Sequence, residues 1–421
     1  MMYKYFSKQG ISEDAYNFVK KCEEECRIDS SFIDEITDFN QLKVLNAMQK
    51  EGIAARHFNP STGYGYDDLG RDAFERVFAR VFNTEDALVR PQITCGTHAL
   101  SLTLYGLLTN GQTLMAITGK PYDTLDQVIG ISGNSKHSLK AMGVKYKQIE
   151  VTADNEIDIE KVLLNLNDVD AIFMQRSRGY SGRSALSIDQ FKDAIKIIKE
   201  AKPEVIIVVD NCYGEFCDVL EPTDVGADVC AGSLIKNPGG GIAPTGGYIV
   251  GSKDCIEAIS ERFTTPSLKK EVGSYAANYT PFYQGLFLAP TVVGQCLKGI
   301  RMLSHMFEKL GYEIVPKNNK SQFDIIVSVK TGSEQAVIDI CKVVQSISPV
   351  DSNVIPMPWD MPGYTDKVIM AAGTFIQGSS IELSADAPIK EPYIVYIQGG
   401  ITYSHIKIAA MKIYDVLKKP E

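Results

Sequence analysis

Between residues 113 and 251 the chain repeats one pattern, in which a short apolar run closes on turn or polar residues and a longer stretch with helical spacing follows. The runs are TLMAIT (113–118), VKYKQIEV (144–151), AIFM (171–174), VIIVVD (205–210) and GYIVG (247–251). The intervening segment DQFKDAIKIIKEA (189–201) carries Phe191, Ile195, Ile197 and Ile198 as one apolar stripe, the mark of a helix packed on a core. Such alternation predicts an α/β fold with a mostly parallel sheet. In sheets of this kind ligands collect beyond the carboxyl ends of the strands. The residues that close each run therefore come first.

The run Val205–Val209 is wholly apolar, as a strand buried on both faces must be, and it closes on Asp210. Further on, Lys236 stands in SLIKNPGGGIAPTGGYIVG (233–251), preceded by Ala231, Gly232 and Ser233 and followed by Pro238 and three glycines. Glycines let the backbone turn and let a bulky group approach, so this stretch reads as a binding loop. Upstream, ITCGTHALSLTLYGLL (93–108) reads as a turn at Gly96-Thr97 that opens a helix with Leu100, Leu104, Leu107 and Leu108 on its apolar side. The free N–H groups and positive dipole at such a helix start suit a phosphate. Taken singly these are a turn former, a solvated lysine and a helix cap. Together they fit pyridoxal 5′-phosphate (PLP). Lys236 would form the Schiff base, and Asp210 would keep the pyridine nitrogen protonated so that the ring accepts electrons from a substrate carbanion.

Several longer motifs in fixed order carry a resemblance. VVDN with Asp210, SLIK with Lys236, TGGYIVG and the CGTHA turn look like a fold-type-I PLP enzyme of the cysteine/methionine-metabolism group. QRSRGYSGR (175–183), YTPFYQGLFLAPTVVGQCLKG (279–299) and IELSADAPIKEPYIVYIQGG (381–400) narrow it to the methionine gamma-lyase-like family often described as aluminium resistance proteins. The resemblance implies a large PLP-binding domain with a mostly parallel sheet and a smaller C-terminal α/β domain. It also implies roles for particular residues. Tyr122, in ITGKPYDTL, matches the aromatic that stacks on the cofactor ring. Gly96 and Thr97 would hold phosphate through backbone N–H groups, and Ser233 would add a hydroxyl. Where related lyases have a second hydroxyl residue before the lysine, this chain has Ile235. NPSTGYGYDDLGR (59–71) resembles the tract by which related lyases reach across a subunit interface, which makes Tyr64, Tyr66 and Arg71 contacts in a homodimer or homotetramer with shared active sites.

A substrate carboxylate calls for a cation. Arg176 and Arg178 follow the run AIFM and so fall at a strand's carboxyl end, where a guanidinium can grip an anion with two hydrogen bonds. Lys390 lies where the family pattern favours arginine, and its ammonium would act as a point charge and not as a fork. Arg178 is the first choice.

Composition agrees with an enzyme. The 421 residues are 44% hydrophobic and 23% charged, enough for a large core, and the net charge of −9 carries no basic footprint for nucleic acid. No segment reads as a run of about 20 apolar residues, and the N-terminus lacks the apolar stretch of a signal peptide, so the cytoplasm is the expected location. The nine cysteines are read as core residues rather than a disulfide framework, and Cys22 and Cys26 have no histidine beside them, so no metal is expected. His98 is a helix-first-turn residue near the phosphate position. Neither a G-x-S-x-G elbow nor an H-E-x-x-H helix competes.

Expected boundaries are a helical arm over 1–59, with periodicity through Ile28, Phe32, Ile36 and Phe39, a PLP-binding domain over 60–295, and a small domain over 296–421. The last begins with a helix over 296–312, with strands near 324–330, 368–376 and 393–399. The expected reaction is elimination of a thiol from a sulfur amino acid, of the cystathionine beta-lyase or methionine gamma-lyase type. Lys236 would take the α-proton, its pKa lowered by burial. An aminotransferase would use the same residues, and a non-catalytic stress or regulatory protein could retain the fold. The motifs do not choose among sulfur amino acids.

Overall fold

The computed structural model of the chain describes residues 2–27, 31–317, 322–361, 364 and 366–418. The predicted alternation becomes a seven-stranded sheet of β1 (Asp86–Arg90), β2 (Thr113–Ala116), β3 (Lys145–Gln148), β4 (Ala171–Gln175), β5 (Ile206–Asp210), β6 (Val229–Ser233) and β7 (Gly247–Gly251). Their order is β1-β7-β6-β5-β4-β2-β3. Neighbours from β6 through β3 are parallel, and β7 runs against both β1 and β6. Every residue of β4 is buried, which is why that strand reads as an unbroken apolar run. The strands β1 (DALVR) and β6 (VCAGS) escape the sequence reading because one is flanked by charges and the other is built of small residues.

A second sheet holds β8 (Glu313–Val315), β9 (Ile326–Lys330), β10 (Val368–Ala371), β11 (Ser384–Pro388) and β12 (Ile394–Gln398), in the order β10-β11-β12-β9-β8 with every pair antiparallel. The strand expected over 368–376 stops at Ala371. Beyond it, the N–H groups of Phe375 and Ile376 turn back to the buried carboxylate of Glu382, at 2.9 and 3.0 Å, instead of a strand ladder. The unexpected strands are β8, a three-residue strand after the long helix, and β11, whose sequence SADAP resembles a turn.

The helix expected over 296–312 is the thirty-residue helix Thr280–Lys309. Its first half, through Phe282, Leu286, Val293 and Leu297, packs in the core under the large sheet. Its second half, through Ile300, Leu303, Met306 and Phe307, packs in the core of the small sheet. By length and hydropathy this helix could cross a membrane, contrary to the sequence reading, but 67% of its most apolar window is buried inside the protein.

The N-terminal helices Glu13–Arg27 and Ser31–Lys50 divide in the same way. Ala15, Val19 and Cys22 join the small-sheet core, and Ile33, Val44 and Ala47 join the large-sheet core. Phe32 and Phe39, expected on the buried stripe, are 38% and 47% exposed, and Ile28 lies outside the described residues. The buried face is set instead by Asn40, whose side-chain amide donates to the carbonyls of Phe216 at 3.4 Å and Asp218 at 2.9 Å.

Candidate active site

One cavity of about 210 Å³ lies at the carboxyl ends of β4, β5 and β6 and is closed from the other side by β11 and β12. It gathers Gly96, Thr97, Tyr122, Asp210, Ser233 and Lys236, residues spread over 140 positions of sequence, together with Ile235. This is the ligand position predicted for a parallel sheet. Tyr122 is anchored through its backbone N–H to Gln175 Oε1 at 2.8 Å, and its hydroxyl meets that of Tyr364 at 2.7 Å. Burial, then Tyr364, raises its phenol well above the usual tyrosine range.

Asp210 is 4% exposed and accepts the Cys212 backbone N–H on Oδ1 at 3.0 Å. Burial raises its pKa, and Lys236 opposes that rise. Among the described residues the Lys236 amine makes no hydrogen bond or ion pair, and its Nζ lies 4.2 Å from the centroid of the Tyr213 ring. Burial alone would lower this ammonium, as the sequence reading expects. Cys212, Tyr213, Asp210 and Glu215 around it outweigh burial and hold it above the usual lysine range. Tyr213 itself sits at φ +71°, a conformation that costs a bulky residue about 1–3 kcal/mol.

The helix Gly96–Leu107 points its start into the same cavity, capped by Cys95 Sγ, which accepts from the His98 N–H at 3.4 Å. A β-carbon on Gly96 would lie 3.2 Å from Cys212 Sγ, so the helix start packs directly against the end of β5. His98 turns its ring back, and its Nδ1 accepts the Thr94 N–H at 3.1 Å. Thr124, which the sequence reading passes over, lines the cavity with its hydroxyl 2.6 Å from that of Thr97. It offers the hydroxyl that Ile235 withholds. These residues fit PLP: a buried carboxylate for the ring nitrogen, an unpaired amine, and a helix start with hydroxyls for phosphate.

The glycine run does not line the cavity. A β-carbon on Gly239 would lie 1.7 Å from the Leu234 carbonyl oxygen, and one on Gly240 (φ +55°) would lie 2.5 Å from that of Gly285. The run is thus a seam that receives the helix Thr280–Lys309, not a loop around a ligand.

The three proposed carboxylate clamps are also elsewhere. Arg176 is fully buried, donating to the Gly214 carbonyl at 2.8 Å and Asn211 Oδ1 at 3.1 Å beside Glu221. Arg178 pairs with Asp324 and donates to the carbonyls of Val315 and Ile326. Lys390 lies on the β11–β12 turn with its side chain 58% exposed, 2.9 Å from Asp366. Both arginines follow a strand end, but buried carboxylates claim them before a substrate can. Arg71 likewise closes its own loop, holding Asp72 and the Gly65 carbonyl, each at 2.7 Å. Tyr64 and Tyr66 stack on each other, 66% and 56% exposed, outside the cavity.

Residues the sequence reading does not name complete the wall: Tyr180, Asp386, Tyr396 and Gln398. Asp386 is buried, with its pKa raised to about 7 chiefly by that burial, against the hydrogen bond from Gln398. Its strand was hidden by the turn-like SADAP. Tyr180 stood in plain view inside QRSRGYSGR.

The chain matches known proteins over nearly its whole length. A Clostridium novyi structure described as a carbon-sulfur lyase involved in aluminum resistance superposes with a TM-score of 0.95, at 47% identity, covering 99% of this chain and 98% of the other. A Clostridium acetobutylicum structure, provisionally described as a cystathionine beta-lyase involved in aluminum resistance, gives a TM-score of 0.95 at 44% identity, with 99% of each chain covered. An uncharacterized Bacillus subtilis protein is 48% identical over 92% of this chain and 93% of its own length. The methionine gamma-lyase family profile matches residues 15–418, and with that match the chain belongs to the methionine gamma-lyase family and is a PLP-dependent carbon-sulfur lyase.

Proposed function

We propose that the chain eliminates a thiol from a sulfur-containing amino acid of the cystathionine or methionine type, releasing ammonia and a 2-oxo acid, with Lys236 and Asp210 as its catalytic pair. The observation that carries this reading is the convergence of an unpaired Lys236 amine, the buried Asp210 and the start of the helix Gly96–Leu107 on one cavity. Lys236 would hold the cofactor through its amine, and as a free amine it would take the proton from the substrate α-carbon. When bound, PLP supplies the electron sink for that deprotonation. Asp210 would keep the proton on the pyridine nitrogen. Gly96 and Thr97 offer backbone N–H groups to the phosphate, with Ser233 and Thr124 adding hydroxyls. Tyr122, its orientation set by Gln175 and Tyr364, would cover the ring.

The test is product identification after loading the protein with PLP and incubating it with cystathionine, methionine and S-alkyl cysteines. Thiol and 2-oxo acid in equal amounts are expected. Amino transfer to an added 2-oxo acid without thiol release would replace the lyase reading with an aminotransferase.

The same reading places the enzyme in the cytoplasm as a homo-oligomer in which the exposed Tyr64 and Tyr66 reach the phosphate of a second copy. Light scattering gives the assembly, and loss of cofactor affinity in a Y64F/Y66F variant tests the reach. An aluminium-resistance role, described for the clostridial proteins, extends to this chain if a deletion strain regains tolerance with the native gene and not with K236A.

A further inference from the structure

Asp386 stands out in a cavity that must admit an amino acid. It lies in the middle of β11, is 8% exposed, and accepts the Gln398 side-chain N–H on Oδ2 at 3.0 Å. Its other oxygen, Oδ1, has no hydrogen-bond partner among the described residues. A buried carboxylate oxygen without a donor is costly, and a group that arrives with a donor offsets that cost. Lys236 is the sole lysine or arginine among the residues lining the cavity.

The surroundings of Asp386 are aromatic. Tyr180 lies 5.1 Å from Tyr396, 6.2 Å from Tyr122 and 5.8 Å from Tyr364, measured between ring centroids. Tyr122, Tyr180 and Tyr396 line the same cavity as Asp386. Tyrosine faces attract cations, and several rings around a carboxylate form a site suited to an ammonium group. An isolated carboxylate on the substrate would be repelled there.

We infer that Asp386, with the tyrosines around it, is a specificity-determining site for a positively charged group on the sulfur substituent, so that the preferred substrates are thioether amino acids with a second ammonium. This rests on the lyase reading for its reaction but not for its binding step. The cofactor bond at Lys236 and the recognition by Asp386 involve different atoms, so they separate by experiment.

Two pairs of probes test it on the PLP-loaded protein. S-(2-aminoethyl)-L-cysteine and S-propyl-L-cysteine differ only in a terminal ammonium against a methyl group. The native enzyme is expected to release thiol from the first with kcat/KM about tenfold or more above the second. Asp386→Asn should bring the ratio to about threefold or less, through a larger loss on the ammonium probe than on the S-propyl one. L-Lysine and L-2-aminoheptanoate carry no sulfur to eliminate, and calorimetry on them reads binding alone, with lysine tighter by a similar factor in the native protein and not in D386N. Asp386→Ser repeats the comparison if D386N folds poorly, and visible absorption of the bound cofactor reports whether each variant keeps its site.

Equal handling of charged and neutral probes by the native protein overturns the assignment. So does an equal loss of both in D386N with an altered cofactor spectrum, which would make Asp386 a counter-ion of Lys236. If neither thioether releases thiol but lysine binding still depends on Asp386, the lyase reading fails and the recognition site stands.

Discussion

The guanidinium of Arg178 holds both oxygens of the Asp324 carboxylate, with Nη2 3.0 Å from Oδ1 and Nε 3.2 Å from Oδ2. The two side chains are 1% and 0% exposed, and they tie the segment after β4 of the large sheet to the segment before β9 of the small one. A fork of this kind was the expected grip on a substrate carboxylate, but the protein has turned it on itself.

Arg178→Ala should therefore act on stability. Leaving Asp324 buried without its partner costs about 3–5 kcal/mol, to be read as a lower denaturant midpoint. In protein that remains folded, KM for a thioether substrate should change less than about threefold, because no uniform binding contact has been removed. A KM raised more than about tenfold, with the midpoint unchanged, would restore Arg178 as the clamp.

Lys236→Ala should abolish thiol release and the cofactor mass fixed at this position by borohydride, as read by peptide mass analysis. The fold should survive, since the Lys236 amine makes no hydrogen bond or ion pair among the described residues. Fixation at another lysine in the native protein would move the site.

Asp210→Asn tests the electronic part of the site. The amide occupies the same space but cannot hold a protonated ring nitrogen as an anion does. A fall in kcat of about 100-fold, near 2.7 kcal/mol of barrier, is expected, with weaker cofactor retention on dialysis. An unchanged kcat would remove Asp210 from the mechanism.

Glu215 gives a pH-dependent stability. It is fully buried, accepts the Tyr248 hydroxyl at 2.7 Å, and has its pKa raised from 4.5 to about 8, chiefly by burial. The unfolded chain releases this proton first, so the contribution is fully present below pH 4.5 and is lost as pH rises through about 8. Glu215→Gln copies the protonated form. Its denaturant midpoint should match the native protein near pH 4, exceed it increasingly as pH rises, and exceed it most near pH 9. Asp386, with its pKa at about 7, adds a slope of the same sign that D386N removes. A Glu215→Gln protein that loses stability with pH as fast as the native one would contradict the burial argument.

The large sheet was legible because its central strands are buried on both faces, and such strands must be apolar from end to end. Asp210 and Lys236 were legible for a related reason, each being a charged residue that closes or follows a run where charge has no packing role. The cations misled because a strand end attracts buried structural carboxylates as readily as substrates, and Glu221 and Asp324 lie far from Arg176 and Arg178 in sequence. Asp386 was missed because β11 owes its place to the ladders on both sides of it, not to its own β-propensity. Phe32 and Phe39 misled in the opposite sense, since apolar spacing marks a helix without saying which side faces the core.

The helix Thr280–Lys309 runs unbroken through the expected boundary between the two units, since position 296 falls within its continuous run of turns. Melting either core strips the cover from half of one rod, so the two sheets should denature in a single calorimetric transition. A fragment starting at residue 296 would carry a severed rod and should not fold alone. Any substrate-induced closure must bend this rod or slide along it, and Pro290, the proline beyond its first turn, marks where its hydrogen-bond ladder is already open.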